Sequence, residues 1–298
     1  MISKVAIILV NYNGYSDTKA CVESLQKIKV GKELLYSIIV VDNGSSQRDE
    51  ECIEYLKNNT IFLEVNENMG FSGGNNIGIK YAIEKEYTHV LLLNNDTVVQ
   101  DDFLDKLMKC VCTTTNMGAA IGKIYYYDEP DTLWYAGGSV DYNIGMVWQH
   151  GNGKKDIGQY DKECEVGFVT GCMMLIPIEV IKKIGMLEED FFLYAEDLEY
   201  SLRIHANGFK MYYFPESIIY HKVGASSGRE EISMNTQYYM VRNIYKAFFK
   251  YQTGIQKIKS FIYNFLRHIK YILTRKYKFK IVLEAYKDVF TNKMGKRE

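Results

Sequence analysis

Four short apolar runs in the first 95 residues, most of them cut off by a polar turn, constrain this chain more than any other feature. Val5–Val10 (VAIILV) stops at Asn11-Tyr12-Asn13-Gly14, and Ser37–Val41 (SIIVV) stops at Asp42-Asn43-Gly44-Ser45-Ser46. Ile61–Val65 is the third run, and Thr88–Leu93 (THVLLL) stops at Asn94-Asn95-Asp96. Unalternated runs of this length suit strands buried on both faces. Helical patterns fill the gaps, from about Ser16 to Ile28 and from Asp49 to Asn58. Strand, polar loop and helix in repetition predict an α/β chain with a Rossmann-like, mostly parallel sheet and helices on both faces. In such sheets ligands bind beyond the carboxyl ends of the strands. One polar strand end is only a turn signal; several on one rim mark a candidate site.

The 298 residues, 47% hydrophobic with three prolines, suffice for one large domain with an appendage and exclude a disordered chain. A net charge of -1 excludes a uniformly basic nucleic-acid binder, so no nucleic-acid partner is expected. The charge is unevenly spread: residues 246–298 hold fourteen Lys/Arg and three Asp/Glu, a net of +11, which leaves -12 for residues 1–245. Six cysteines without a CxxC pair argue against a zinc knuckle or a disulfide framework and suit buried thiols in a reducing cytoplasm. No run approaches the twenty apolar residues of a membrane span, and the N-terminus lacks a cleavage-site pattern.

Other segments carry candidate chemistry. Asn68–Gly78 holds four glycines with Asn75 and Asn76 among them, a loop whose backbone can approach a ligand closely; it matches neither a dinucleotide fingerprint nor a P-loop. Residues 178–208 are expected to be helical, with adjacent acids at Glu196-Asp197 after the apolar Phe191–Tyr194. Such a pair serves a helix dipole or, beside apolar walls that raise a carboxyl pKa, an acid–base reaction. His221 follows an extended aromatic run, in the pattern HxxGxS. Trp134 either fills a core or offers its indole face to a ligand. Cys172 is not expected to act as a nucleophile, having no histidine nearby in sequence.

Taken together, VNYNG (10–14), VDNGSS (41–46), NENMGFSGGNNIGI (66–79), LLLNNDT (91–97), TGCMMLIP (170–177), FFLYAEDLEYSLR (191–203) and HKVGAS (221–226) resemble glycosyltransferase family 2, of the inverting GT-A fold. Within it the chain looks most like bacterial rhamnosyltransferase-type enzymes of surface-polysaccharide synthesis. The resemblance covers about residues 5–245. It implies a GT-A catalytic domain at 1–235, with a nucleotide-binding half (1–125) and an acceptor-binding half (126–235), and a basic amphipathic helical tail at 236–298.

The resemblance implies further that Asn11, Tyr12, Asn13, Asp42, Asn68, Gly70, Phe71, Gly74, Asn75, Asn94 and Asn95 hold the nucleotide sugar, Asp42 reading the base. Asn94-Asn95-Asp96 stands where the family has Asp-x-Asp. Its first acid is replaced by Asn94, so Asp96 and His221 are the expected ligands of a divalent Mn²⁺ or Mg²⁺ that meets the diphosphate. Asp197 matches the catalytic base. Glu196, Trp134, Gly171 and Cys172 are expected on the acceptor side, and Arg203 is expected to pair with an acid one turn back.

The implied reaction moves one sugar from a nucleotide-diphosphate donor, dTDP-rhamnose first and a UDP-hexose second, to a hydroxyl of a glycan or glycolipid. A nucleotidyltransferase is disfavoured by the missing basic triphosphate loop after the first strand. A non-catalytic binding subunit is motivated by Asn94 alone. In the tail, Ile255, Ile258, Ile262, Phe265, Leu266, Ile269 and Leu273 form a helical stripe among Lys and Arg. That pattern suits peripheral contact with an anionic membrane through 250–280; packing on the acidic domain or a homodimer through these helices would also use it. The expected location is cytoplasmic, at the inner face of the membrane.

Overall fold

A computed structural model of the protein describes residues 2–222 and 233–297. Gly224 and Ser226 of the HxxGxS pattern lie outside the described residues. The N-terminal alternation forms as expected: β1 (Ser3–Asn11), α1 (Tyr15–Leu25), β2 (Leu34–Asn43), α2 (Glu50–Asn59), β3 (Ile61–Val65), α3 (Gly70–Glu84) and β4 (His89–Leu93). Val5–Leu9, Ile39–Val41 and Val90–Leu92 are wholly buried, which is why these runs lack polar alternation. Next come β5 (Thr97–Val99), α4 (Phe103–Thr113), β6 (Met117–Tyr126), β7 (Leu133–Tyr135), the hairpin β8 (Gly138–Asp141) and β9 (Met146–Gln149), and β10 (Cys164–Val166). The chain continues through β11 (Met173–Pro177), α5 (Ile178–Ile184), α6 (Glu196–Ala206) and β12 (Lys210–His221) to α7 (Met234–Tyr251), α8 (Gly254–Leu273) and α9 (Phe279–Thr291).

The main sheet runs β10-β12-β6-β11-β4-β1-β2-β3, with β5 added to β12 and β7 to β6. β3, β2, β1 and β4 are mutually parallel; β11 is antiparallel to both β4 and β6, so β6 and its parallel partner β12 again point the same way as β4. This topology builds the site. Asn11, Asp42, Asn94 and His221 all fall at one rim as strand ends, and the reversed β11 begins there, bringing Gly171 and Cys172.

Two local expectations change. The glycine-rich stretch from Gly70 onward is the first half of α3 and not a loop. Its glycines let the helix lie close on the sheet: a Cβ at Gly74 would stand 2.7 Å from Val10 Cγ1, and one at Gly78 would stand 2.6 Å from Ile8 Cγ2. Gly70 has φ +74°, and a Cβ there would reach within 2.2 Å of the Phe192 carbonyl oxygen. The helical stretch at 178–208 is two helices, because Gly185 leaves helical geometry at φ +88°.

The basic tail is not detached from the rest. Ala247 and Phe248 of α7 enter the main core, and Lys250 Nζ reaches Glu188 and Glu199, each at 2.9 Å. Tyr238, Tyr239 and Tyr245 of α7 form a second, aromatic core with Val282, Ala285 and Tyr286 of α9. Cys21, Cys52 and Cys172 are buried free thiols, whereas Cys164 is exposed. No helix among the described residues is long and apolar enough to cross a membrane.

Gly70→Ala is expected to destabilise the fold by about 2–4 kcal/mol, because it combines a left-handed backbone with a clash against a carbonyl. A lowered urea midpoint at unchanged slope would show it. An unchanged midpoint would mean that α3 can shift away from the 191–195 turn.

Candidate active site

The rim is braced from below by the ends of β1 and β2. Asp42, 2% exposed, accepts from Asn11 Nδ2 at 3.2 Å and Ser45 Oγ at 2.5 Å on one oxygen, and from the Tyr15 hydroxyl at 2.8 Å on the other. Burial and this bond push the Tyr15 phenol up to about 12, so it stays a donor. Asn11 is wholly buried, and its Oδ1 accepts from Thr18 Oγ1 at 2.9 Å. Asn11 and Asp42, the residues expected to hold the nucleotide with Asp42 reading its base, thus stand in a buried, mutually bonded brace at this rim. Three donors already occupy three of the roughly four acceptor positions of the Asp42 carboxylate. Asn13 Oδ1 accepts from the backbone N–H groups of Ser46 and Gln47, both at 2.9 Å, and Tyr12 stands 48% exposed above this brace.

A second brace fixes the start of α3. Asn43 Nδ2 donates to the Gly70 carbonyl at 2.9 Å, and Asn68 Oδ1 accepts from Gly70 N at 2.8 Å. Asn75 Nδ2 donates to the Phe71 carbonyl at 2.9 Å, one turn back. Gly74 faces Val10 in the sheet, so it shapes the packing under the rim.

At the end of β4 the polar groups turn toward β12. His221 Nε2 lies 3.1 Å from Asp96 Oδ1 and 3.4 Å from Asn94 Nδ2, and the Trp134 ring meets the imidazole edge-on at 4.6 Å between centroids. Trp134 is thus placed by contact with His221. Asn95 Nδ2 donates to Thr18 Oγ1 at 2.8 Å and ties this corner to α1. A nitrogen–oxygen separation of 3.1 Å is close to the roughly 3.0 Å expected for adjacent ligands at about 2.1 Å from one octahedral cation. The buried His221 Nδ1 has no hydrogen-bond partner among the described residues, and no group of three His, Cys, Asp or Glu side chains is assembled there. The donor set therefore fits a divalent cation that draws most of its ligands from elsewhere, as from a diphosphate and water.

The acid pair opens α6 from the opposite side. Asp197, half-buried, accepts from Gly171 N at 3.0 Å and from Leu198 N at 2.8 Å. Glu196 is buried, with Oε2 unpartnered among the described residues. Burial and the adjacent Asp197 hold the Glu196 carboxyl well above the usual carboxylate range. Burial raises Asp197 as well, but the Gly171 and Leu198 N–H groups oppose it by favouring the charged form. Both carboxyls are thus pushed up by burial, Glu196 well above its ordinary value and Asp197 against the backbone N–H groups that favour its charged form.

Gly171 and Cys172 join the two halves. Gly171 N holds Asp197 while the Cys172 carbonyl accepts from Asn94 N at 2.9 Å. A Cβ at Gly171 would sit 3.0 Å from the Phe71 ring, so Phe71 walls this passage. The expectation that Cys172 lines an acceptor surface is corrected: its side chain is 3% exposed, and burial pushes the thiol well up. Arg203 does pair with Glu199 one turn back, through Nε at 3.3 Å and through Nη2.

Sequence reasoning missed what holds the pair in place. Tyr194 and Ala195, just before α6, both have left-handed backbones, with φ +65° and +64°. Asn243 of α7, wholly buried, donates from Nδ2 to the carbonyls of Leu193 at 2.9 Å and Tyr194 at 2.8 Å. Arg242 Nε donates to Asn243 Oδ1 at 2.8 Å and so fixes which way the amide faces. From the other side Phe71 N donates to the Phe192 carbonyl at 2.8 Å and Ser72 Oγ to that of Phe191 at 3.0 Å. The available signal was two polar residues, Arg242 and Asn243, inside the tyrosine-rich stripe of a helix.

Residues 6–185 match the model of glycosyl transferase family 2. A dTDP-rhamnosyl transferase, RfbF, of Shigella flexneri is 24% identical over 290 residues, 93% of this chain and 91% of that protein. The low-salt glycan biosynthesis hexosyltransferase Agl10 of Haloferax volcanii is 26% identical over 210 residues, 68% of this chain and 62% of that protein. Among solved structures, GalNAc-T7 with UDP, GalNAc and Mn²⁺ superposes with a TM-score of 0.62 at 16% identity, covering 93% of this chain and 59% of that one. At that identity the likeness is one of fold.

Asn243→Ala is expected to cost about 2–4 kcal/mol, since it orphans two buried carbonyls. Chemical denaturation reads this directly; a loss below about 0.5 kcal/mol would mean that water replaces the amide. Glu196 supplies a pH test. Its pKa is raised in the folded state, so above the unfolded value of about 4.3 the unfolded chain holds fewer protons and stability falls as pH rises until Glu196 ionises. Glu196→Gln should therefore stabilise the protein progressively more from pH 5 toward 8 (about the range in which the raised carboxyl matters). A melting-temperature difference independent of pH would refute the assignment.

Proposed function

The chain belongs to glycosyl transferase family 2, and from that premise we propose that it transfers a single rhamnosyl group from dTDP-rhamnose to a hydroxyl of a glycan, with inversion at the anomeric carbon. It is a glycosyltransferase that uses a nucleotide-sugar donor. The observation that carries the mechanistic reading is the two-residue bridge at the start of β11, which holds Asp197 on one side and Asn94 on the other. This bridge supports a reading in which base and diphosphate ends lie side by side, as a single displacement requires.

In this reading Asp197 is the catalytic base. It takes the proton from the acceptor hydroxyl as that oxygen attacks the anomeric carbon, on the face opposite the departing nucleoside diphosphate. Neutral Glu196 is able to donate a hydrogen bond and orients the acceptor, with Trp134 and Gly171 shaping its approach. Asn11, Asn13 and Asp42 stiffen the nucleotide floor, which Tyr12 overlies. Asn68, Gly70, Phe71, Gly74 and Asn75 shape the wall beside the sugar, and Asn94 and Asn95 lie nearest the diphosphate. Asp96 and His221 would hold Mn²⁺ or Mg²⁺, which when bound neutralises charge on the leaving diphosphate.

The rhamnosyl choice is supported by the similarity to RfbF across nearly the whole chain. The similarity to Agl10 supports a hexose from another nucleotide as the second reading. We propose further that the acceptor is lipid-linked, met by a cytoplasmic protein that lies at the inner face of the membrane through residues 250–280.

Asp197→Asn should reduce kcat by about 10²–10⁴-fold while leaving the donor-induced rise in melting temperature intact. Asp96→Asn or His221→Gln should remove the part of that rise that depends on Mn²⁺. Transfer at full rate by Asp197→Asn would displace the base from this position. A panel of dTDP-, UDP- and GDP-sugars in the same melting assay names the donor, and a rise with UDP-sugars alone would replace dTDP-rhamnose.

A further inference from the structure

α8 is built inside out. Its buried side is polar: Ser260, Asn264 and His268 recur every fourth residue and face the protein. Asn264 Nδ2 donates to the Ile144 carbonyl at 2.8 Å in the turn between β8 and β9, and His268 Nδ1 lies 2.9 Å from the Tyr286 hydroxyl. At 3.6 residues per turn, Ile255, Ile258, Ile262, Leu266, Ile269 and Leu273 fall within a sector of roughly 80° on the opposite side. All six are exposed, from 38% at Ile269 to 79% at Leu273. A surface helix ordinarily turns such a stripe toward the core.

The apolar surface continues onto α9. Phe265 stacks on Phe261 at 5.8 Å, Phe261 meets Phe290 at 6.0 Å, and Phe290, Leu283 and Phe279 are each more than half exposed. Charge selects what covers it. Residues 254–283 contain eight Lys/Arg and no Asp/Glu. Lys259, Lys270, Arg275 and Lys278 are exposed, and no ion pair engages them among the described residues. Two copies meeting through this face would set eight cations against eight others. An anionic bilayer offers apolar chains and opposite charge together, and the -12 carried by residues 1–245 keeps the rest of the protein away from it.

We propose that the exposed face of α8, extended by that of α9, docks on an anionic phospholipid bilayer, its isoleucine and leucine stripe at the acyl boundary and its lysines among the headgroups. This deepens the peripheral placement proposed above and rests on it only for where the acceptor is met.

The test is co-sedimentation of the full chain with vesicles of phosphatidylcholine alone or mixed with phosphatidylglycerol. The expected result is at least tenfold tighter binding to the anionic vesicles, weakened by salt. Ile258→Ser/Ile262→Ser/Leu266→Ser/Ile269→Ser should abolish binding, with the far-UV spectrum and the donor-induced melting shift unchanged. Lys259→Gln/Lys270→Gln/Arg275→Gln, which leaves the stripe intact, should lose the preference for anionic lipid. Equal binding by wild type and both variants would overturn the proposal. So would a wild-type dimer in sedimentation equilibrium that the serine variant dissociates. Vesicle binding is read without donor, so a missing melting shift with every nucleotide sugar would count against the proposed donor and not against docking.

Discussion

Two consecutive left-handed residues, Tyr194 and Ala195, set the direction in which α6 leaves the rim. Neither is glycine, so each costs on the order of 1–3 kcal/mol and persists only where its surroundings over-determine it. Here two separate parts of the chain do so. The start of α3 supplies Phe71 N and Ser72 Oγ, α7 supplies the Asn243 amide, and Gly70 allows the closest approach of backbone to backbone. The first turn of α6 then has one position, with Asp197 against Gly171 N. A site made by sheet topology thus depends on a helix from the far end of the chain.

The same helix shows how environment divides identical chemistry. Glu199 is wholly buried, yet burial is overcome by Arg203, Tyr251 and Lys250, which hold its carboxyl below the usual range. Glu196, one turn earlier and also buried, meets no cation among the described residues and is driven the other way. Asp197 lies between them, half-buried and served by backbone donors. One of these three carboxylates locks α6 to α7 through Lys250 and Tyr251, one is pushed well above its ordinary range, and one is raised by burial against the backbone donors that favour its charge. Partner geometry, more than depth, decides which is which.

How much of this was legible follows from which signals are local. Burial on both faces writes itself into an unbroken apolar run, so the strands at Val5–Val10 and Val90–Leu93 could be read directly. Polar residues at strand ends gave the rim, and the adjacent acids gave the start of α6. Glycine is ambiguous: Gly74 and Gly78 read as loop freedom but serve close helix-on-sheet packing, which depends on Val10 and Ile8 some sixty residues earlier. The partners of Asp42 and the burial of Cys172 were not legible, because a sequence shows a side chain's type and not what surrounds it. Asn243 carries no motif, and its two acceptors lie about fifty residues away.

Amphipathic period is likewise legible, whereas its direction is not. The α8 stripe has the spacing of a core-facing helix, and only the tertiary structure shows Ser260, Asn264 and His268 taking the inward place. Asn264 is held by the β8–β9 turn and His268 by α9, so the outward face is fixed in place and is not an accident of a loose tail. The mounting also leads back to the acid pair. Gln252, between α7 and α8, donates to the Tyr142 carbonyl of the same turn, while Tyr251 and Lys250 next to it reach Glu199 on α6. A surface seated on α8 is therefore coupled through α7 to the helix that carries Asp197. The proposed base and the proposed docking face would hold a fixed distance and orientation, as an enzyme working on an acceptor anchored in a plane requires.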